Sequence, residues 1–258
     1  MCGFQVFGRS GLAFAADWKV SRLDKKPTRK SPCYSEELIQ NCLLTIESGD
    51  IEDLFEIIPR IGVLRDPRFN EPLIQMLSQK GTKRGEFAAY AMGAMGNREF
   101  LDPLRKAFLE AQKMKGFGTH DFLVAIIEAI GAIGDDAAVD FFLPILTNPE
   151  SSANLRMMKW IVESLGAIAQ QGGCRSMEAL LEIVTAHRNP ELRAQALSEL
   201  AVAYWHRPNE IADPTLSRIY ELTTDRNKMI AESAVAALQS LADVGCVAAE
   251  RFFSNPDN

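Results

Sequence analysis

The stretch His120–Asn148, HDFLVAIIEAIGAIGDDAAVDFFLPILTN, reads as a helix, a tight turn and a second helix. Phe122, Ile126, Ile127, Ile130 and Ile133 recur at steps of three and four, which lays one apolar stripe along a 3.6-residue period. Gly134 stands where a helix ends in the left-handed conformation, and Asp135 or Asp136 can accept the orphan amides of the helix that follows. Val139, Phe142, Leu143 and Leu146 form a second stripe, which Asn148-Pro149 stops. The unit is a helical hairpin. Neither helix covers the whole apolar face of the other, so the hairpin requires neighbours.

Working outward from Gly131, a small residue recurs at the same place in five other helices: Gly62, Gly93, Gly166, Ala201 and Ala242. The spacings are 31, 38, 35, 35 and 41 residues, and a nearly constant period of that size means stacked repeats. Six units fit the chain. A glycine inside a helix costs about 1 kcal/mol against alanine, so its recurrence predicts a packing role, the close approach of one helix to the next.

Two stretches, RGEFAAYAMGAMGNREFLDPL (84–104) and LVAIIEAIGAIGDDAAVDFFLPIL (123–146), resemble the HEAT-like repeat first described in phycobilisome lyases. That repeat is an alanine-rich helix, a Gly-x-Ile-Gly-Asp turn and an apolar helix. The resemblance covers about residues 51–244, is clearest at Gly131–Asp135, and thins after Ala201, where alanine replaces the glycine. It implies an all-α superhelix, a right-handed HEAT-like solenoid of about six hairpins. The tetratricopeptide period is close, but its aromatic signature is missing. Because such repeats serve many unrelated functions, the resemblance speaks to fold more than to chemistry.

The charge is divided unevenly along the chain. Residues 1–34 carry Arg9, Lys19, Arg22, Lys25, Lys26, Arg29 and Lys30 against Asp17 and Asp24, whereas the whole chain has a formal charge of −6. The remainder is therefore strongly acidic, which argues against a nucleic-acid-binding body. The polar, proline-interrupted DKKPTRKSP predicts a disordered basic tail over 1–34, with an organelle transit peptide as the lesser reading. Residues 35–258 are expected to form the repeat domain with helical caps. No apolar run reaches membrane-spanning length. Five scattered cysteines, Cys2, Cys33, Cys42, Cys174 and Cys246, read as reduced thiols of a cytoplasmic protein.

Ser35 is expected to cap an opening helix, SEELIQNCLLTIESGD. The second hairpin is expected to have a long second helix through Lys115, closed by Gly116-Phe117-Gly118. Trp160 is expected in the core. At the other end, Phe252 and Phe253 are expected to fold back as a cap.

The repeat register also predicts a surface. Three residues before each mark stand Tyr90, Glu128, Glu163, Ser198 and Gln239, which should form a polar ridge on the concave face. Lys159 and Arg156 lie one and two turns back from Glu163, and Asp121 takes the corresponding place before Gly131. A second candidate contact is Tyr204, Trp205, His206 and Arg207, an aromatic and cationic cluster at a helix end. Its structural alternative is a packed Trp205 with His206 and Arg207 capping helix carbonyls.

Catalytic signals are poor. His120, His187 and His206 fall in different repeats, no Cys or His pair has metal-ligand spacing, and no phosphate loop or nucleophile elbow is present. Neither a metal nor a cofactor is called for. The sequence therefore predicts a non-catalytic scaffold whose concave face holds a protein partner. The alternative implied by the resemblance is a phycobilin lyase or chaperone-like lyase subunit, with a linear tetrapyrrole as transient ligand and a phycobiliprotein subunit as partner. Arg156 and Lys159 would meet the bilin propionates, and Glu128 and Glu163 its pyrrole N–H groups.

Overall fold

The computed structural model describes residues 36–114, 116, 118–148 and 155–254, and among these every regular element is helical. A single helix, α1 (Glu36–Ser48), precedes six pairs: α2 (Ile51–Leu64) with α3 (Asn70–Leu77), α4 (Lys83–Met95) with α5 (Leu101–Ala111), and α6 (Thr119–Ile133) with α7 (Val139–Thr147). There follow α8 (Leu155–Gln170) with α9 (Cys174–Ala186), α10 (Pro190–Ala203) with α11 (Asp213–Leu222), and α12 (Lys228–Asp243) with α13 (Val247–Ser254). The protein is an all-α helical-repeat superhelix. The tail 1–34 and the capping residue Ser35 lie outside the described residues.

The turns explain how one hairpin becomes the next. In the first three units a short 3-10 turn opens the second helix, and Asp66, Asn97 and Asp135 each accept the amide two residues on, from Arg68, Glu99 and Ala137. Gly134 takes the left-handed conformation expected of it, at φ 76°. The predicted long second helix of the second unit is shorter than expected. It ends at Ala111, because Gln112, Lys113 and Met114 are exposed and no neighbour rewards another turn.

The first helices α2, α4, α6, α8, α10 and α12 stack side by side in chain order. The second helices α3, α5, α7, α9 and α11 pack on the first helix of the next unit, α9 and α13 pack also on their own partners α8 and α12, and second helices scarcely touch one another. The first-helix layer is the more closely spaced of the two. The recurring glycines set that spacing. A Cβ on Gly93 would lie 2.8 Å from Ala129 Cα, one on Gly131 2.8 Å from Ser164 Cβ, and one on Gly166 2.8 Å from Glu199 Cβ. Their packing role, expected from the sequence, is therefore observed. Between them Phe87, Phe100, Phe108, Phe122 and Phe142 are fully buried and fill the space between the two layers.

Polar side chains tie each repeat to its neighbours by closing helix ends. Arg84 donates to the carbonyls of Gly49 and Ile46 at the end of α1 (3.0 and 2.9 Å), and Arg207 donates to Ala169 near the end of α8 (2.9 Å). Helix α9 has Gly173 at its start and so no cap of its own. Asp136, from the preceding unit, accepts the amides of Arg175 and Ser176 at 2.9 Å each. Asp136→Ala is expected to remove about 1–2 kcal/mol, read as a Tm lower by several degrees. Asp102→Ala, at an exposed place, should leave Tm unchanged.

At the C-terminal end Phe252 packs on Tyr220, with ring centroids 5.0 Å apart, and the Tyr220 hydroxyl donates to the Ala248 carbonyl at 2.5 Å. Phe253 stays exposed. The expected aromatic cap is thus made by Phe252. Trp160 is half buried against the core.

Candidate interaction face

The outward face of the first-helix layer brings most of the expected ridge together. It is a strip rather than a pocket. Tyr90 is half buried, with its ring edge-on to Phe55 at 6.2 Å and its hydroxyl hydrogen-bonded to the Glu128 carboxylate. Burial, with the Glu128 charge beside it, pushes the phenol well above its ordinary range. Tyr90 and Glu128 therefore join α4 to α6 as a fixed neutral-acid/carboxylate pair.

Around them the register places groups that the mark-minus-three rule missed. Lys83 Nζ lies 2.7 Å from the buried carboxylate of Glu86 and 3.6 Å from Asp121. The hydrogen bond with Glu86 holds the Lys83 ammonium above its usual pKa, and burial of its carboxylate partner is tolerable only because of that pairing. Lys159 pairs with Glu191 of the next first helix, and its carbonyl accepts from Gln195 at 3.1 Å. Ser164 is buried and donates to the Ile127 carbonyl at 3.0 Å. Lys83 and Glu191 occupy the same place as Asp121 and Arg156, ten residues before their marks, and Glu86 the same place as Lys159. Extending the register by two turns in every helix would have found them.

The remaining ridge residues divide by exposure. Glu163 is half buried, whereas Asp121, Arg156 and Ser198 are exposed. Gln239 is also exposed, but its amide donates to Asp243 on its own helix at 2.7 Å, and it stands at the far end of the array from Tyr90. Counted along the strip, Glu86, Asp121, Glu128, Glu163 and Glu191 outnumber Lys83, Arg156 and Lys159. The strip is acidic overall.

The second candidate cluster does not form one patch. Tyr204 is buried and its phenol pushed up by that burial, while Arg207 is spent on the carbonyl of Ala169. Trp205 is 48% exposed and reaches across to α12, where its indole N–H donates to Ser240 Oγ at 2.9 Å. His206 is exposed. This segment ties the fifth unit to the fourth and sixth, and leaves Trp205 and His206 at the surface.

On the opposite layer the gap between second helices leaves a cleft of about 270 Å³ at the ends of α7 and α9, floored by Leu146, Met158 and Ile183 and rimmed by Glu182 and Arg188. His187 lines it with both ring nitrogens engaged. Nδ1 accepts from the Asn189 amide at 3.0 Å, which leaves Nε2 protonated to donate to the Leu146 carbonyl at 3.3 Å. Among the described residues no group of three His, Cys, Asp or Glu is placed to hold a metal ion, and no single helix is long and apolar enough to cross a membrane. Cys42 and Cys246 are buried, and burial raises the Cys42 thiol above its usual pKa, which makes it a poor nucleophile. Cys174 is exposed.

No protein-family model matches the chain, and no curated protein matches it. Among solved structures the chain is similar to an engineered protein, Northeast Structural Genomics Consortium Target OR329, at 18% identity and a TM-score of 0.40, over 82% of this chain and 98% of that one.

Proposed function

We propose that the protein is a non-catalytic scaffold that holds a protein partner along the outward face of its first-helix layer. The observation that supports this reading is the net acidic strip carried by Glu86, Asp121, Glu128, Glu163 and Glu191, whose members are set on a rigid stack of helices. Side chains already held by ion pairs and by the Tyr90–Glu128 bond lose little further freedom on binding, which favours recognition of a basic partner surface. The alternative, a bilin-binding lyase subunit, rests on the repeat resemblance. It needs two cations for two propionates, and Lys159 is engaged with Glu191.

The exposed positions are the ones to probe, because Glu128 also supports Tyr90. Tagged full-length chain is recovered from its native organism alongside Asp121→Lys/Ser198→Arg. The wild type should bring down a colourless basic partner, and the variant should bind that partner about tenfold more weakly with an unchanged circular dichroism spectrum. Equal binding by a folded variant would remove the strip from the interface. Co-purification of phycobiliprotein subunits with visible absorbance would transfer the assignment to the bilin reading.

A further inference from the structure

Among the described residues from Gly116 to Tyr204 no large apolar side chain is exposed, whereas the last unit exposes Met229, Val235, Val247 and Phe253. A comparison of α10 with α12 locates the difference. Aligned on the asparagines that cap them, Asn189 and Asn227, the two helices bury the same places: Leu192 and Ile230, Ala196 and Ala234, Leu200 and Leu238, Ala203 and Leu241. They part at two others. Leu197 and Ala201 are buried in α10, whereas their equivalents Val235 and Gln239 are exposed, Val235 at 40%. The longer loop before α12 thus makes Gln239, and not Ala242, the counterpart of the mark Ala201. Helix α10 receives α12 on this flank, and among the described residues no first helix follows α12.

The open flank has an ordered set of charges. Lys228, Glu232, Val235, Gln239 and Asp243 recur along it at steps of three and four, and all are exposed. A copy of the same helix laid antiparallel, with a dyad at Val235–Ala236, matches this order. Lys228 then meets Asp243 of the second copy, Glu232 meets its Gln239, and the two Val235 side chains meet at the centre. Within one chain Lys228 Nζ lies 3.5 Å from Glu232 and Gln239 donates to Asp243 at 2.7 Å. Pairing across the dyad exchanges the partners of these four groups and leaves none unpaired. The α2 end of another copy fits less well. Glu232 and Glu52 stand seven and ten residues before their marks, where Lys159 and Glu191 pair inside the array, so continuing the array in that way sets two carboxylates together.

We propose that the protein forms an isologous dimer through the open flank of α12, with the second copy antiparallel. A dyad that lies in this interface and reverses the helices runs along the normal of the first-helix layer, so both outward faces look the same way. The two acidic strips then share one side of the dimer, and a partner with two basic surfaces would engage both. Formation of the dimer does not rest on the scaffold reading, since a different flank makes it. The seam of 16 residues is about 24 Å long, which is short for a specific interface, so dissociation in the micromolar range is expected.

Sedimentation equilibrium of the full chain over a series of micromolar concentrations tests the proposal. The wild type should approach twice 28.6 kDa and go no further. Val235→Glu should hold the mass of one chain, and Asp243→Lys should raise the dissociation constant about tenfold. Both positions are exposed, so the circular dichroism spectra should not change. Lys228→Asp/Asp243→Lys should restore the wild-type constant, which only antiparallel self-pairing allows. This exchange decides the matter alone if Val235→Glu unfolds. A wild type that stays monomeric, masses that climb past the dimer, a dimer indifferent to Val235→Glu, or a charge exchange that does not restore association would each overturn the proposal.

Discussion

Gly93→Leu is expected to abolish cooperative folding, and Gly93→Ala to destabilise the protein even though alanine is the better helix former. A Cβ at this place lies 2.8 Å from Ala129 Cα and 3.2 Å from Ala129 Cβ, so the obstacle is the body of α6 and not the end of a flexible side chain. Helix propensity favours alanine by about 1 kcal/mol. Overpacking a tight interior costs about 1–3 kcal/mol, and with backbone as the obstacle the upper part of that range applies. The net loss for alanine is then about 1–2 kcal/mol. Leucine adds three more carbons to the same gap, which only the separation of α4 from α6 admits, and the first-helix stack is interrupted there. Urea unfolding followed by circular dichroism reads both outcomes. Gly62→Ala is the internal comparison. Its nearest atoms, Ala94 Cβ and O, are 3.1 Å away, a gap that a shift of tenths of an ångström relieves, so the two terms nearly cancel. A Gly93→Ala protein as stable as the wild type would show that this glycine does not set the helix spacing.

Phe122→Ala should lose about 3–5 kcal/mol and divide the unfolding transition in two. The ring is fully buried, and its Cε2 lies 3.1 Å from where a Cβ on Gly85 would stand, so it fills the seam between the second and third units. In a solenoid each unit is stabilised only by its neighbours, and a weak seam lets the two sides melt separately. Units one and two would then unfold apart from units three to six. Phe122→Leu keeps most of the volume and should lose less while retaining one transition. A single transition at the wild-type midpoint for Phe122→Ala would mean that the seam is held elsewhere.

The helical hairpins were legible because their signals are local. Phe122, Ile126, Ile127 and Ile130 lie on one stripe whatever surrounds them, and all four are buried. The error at α5 has the same origin. Gln112 to Met114 continue an acceptable helical sequence, but helix length is decided by what is available to bury, and nothing covers them.

The candidate face was legible in part. Tyr90, Glu128 and Glu163 follow from counting back from the glycine marks, and they line the outward side of the first helices. Glu86 was not legible as a buried residue, because a carboxylate at that depth depends on Lys83 being folded over it. For the Tyr204–Arg207 cluster the alternative with Arg207 on a helix carbonyl was legible and is observed, whereas its packed Trp is not, since Trp205 is 48% exposed. Arg207 turns inward because the loop after α10 passes the end of α8, where the Ala169 carbonyl accepts from it.

The period, the six hairpins and the residues that must be small are readable along the chain, since they depend on spacing within one helix and on what a turn or a close approach sterically permits. Which groups meet across repeats emerges from the packing of whole helices: Asp136 with the start of α9, Lys159 with Glu191, Tyr90 with Glu128. Those pairings depend on the lateral offset between neighbouring helices. That offset is set by the contacts of Gly93 with Ala129 and of Gly131 with Ser164, a property of two packed surfaces that neither helix carries alone.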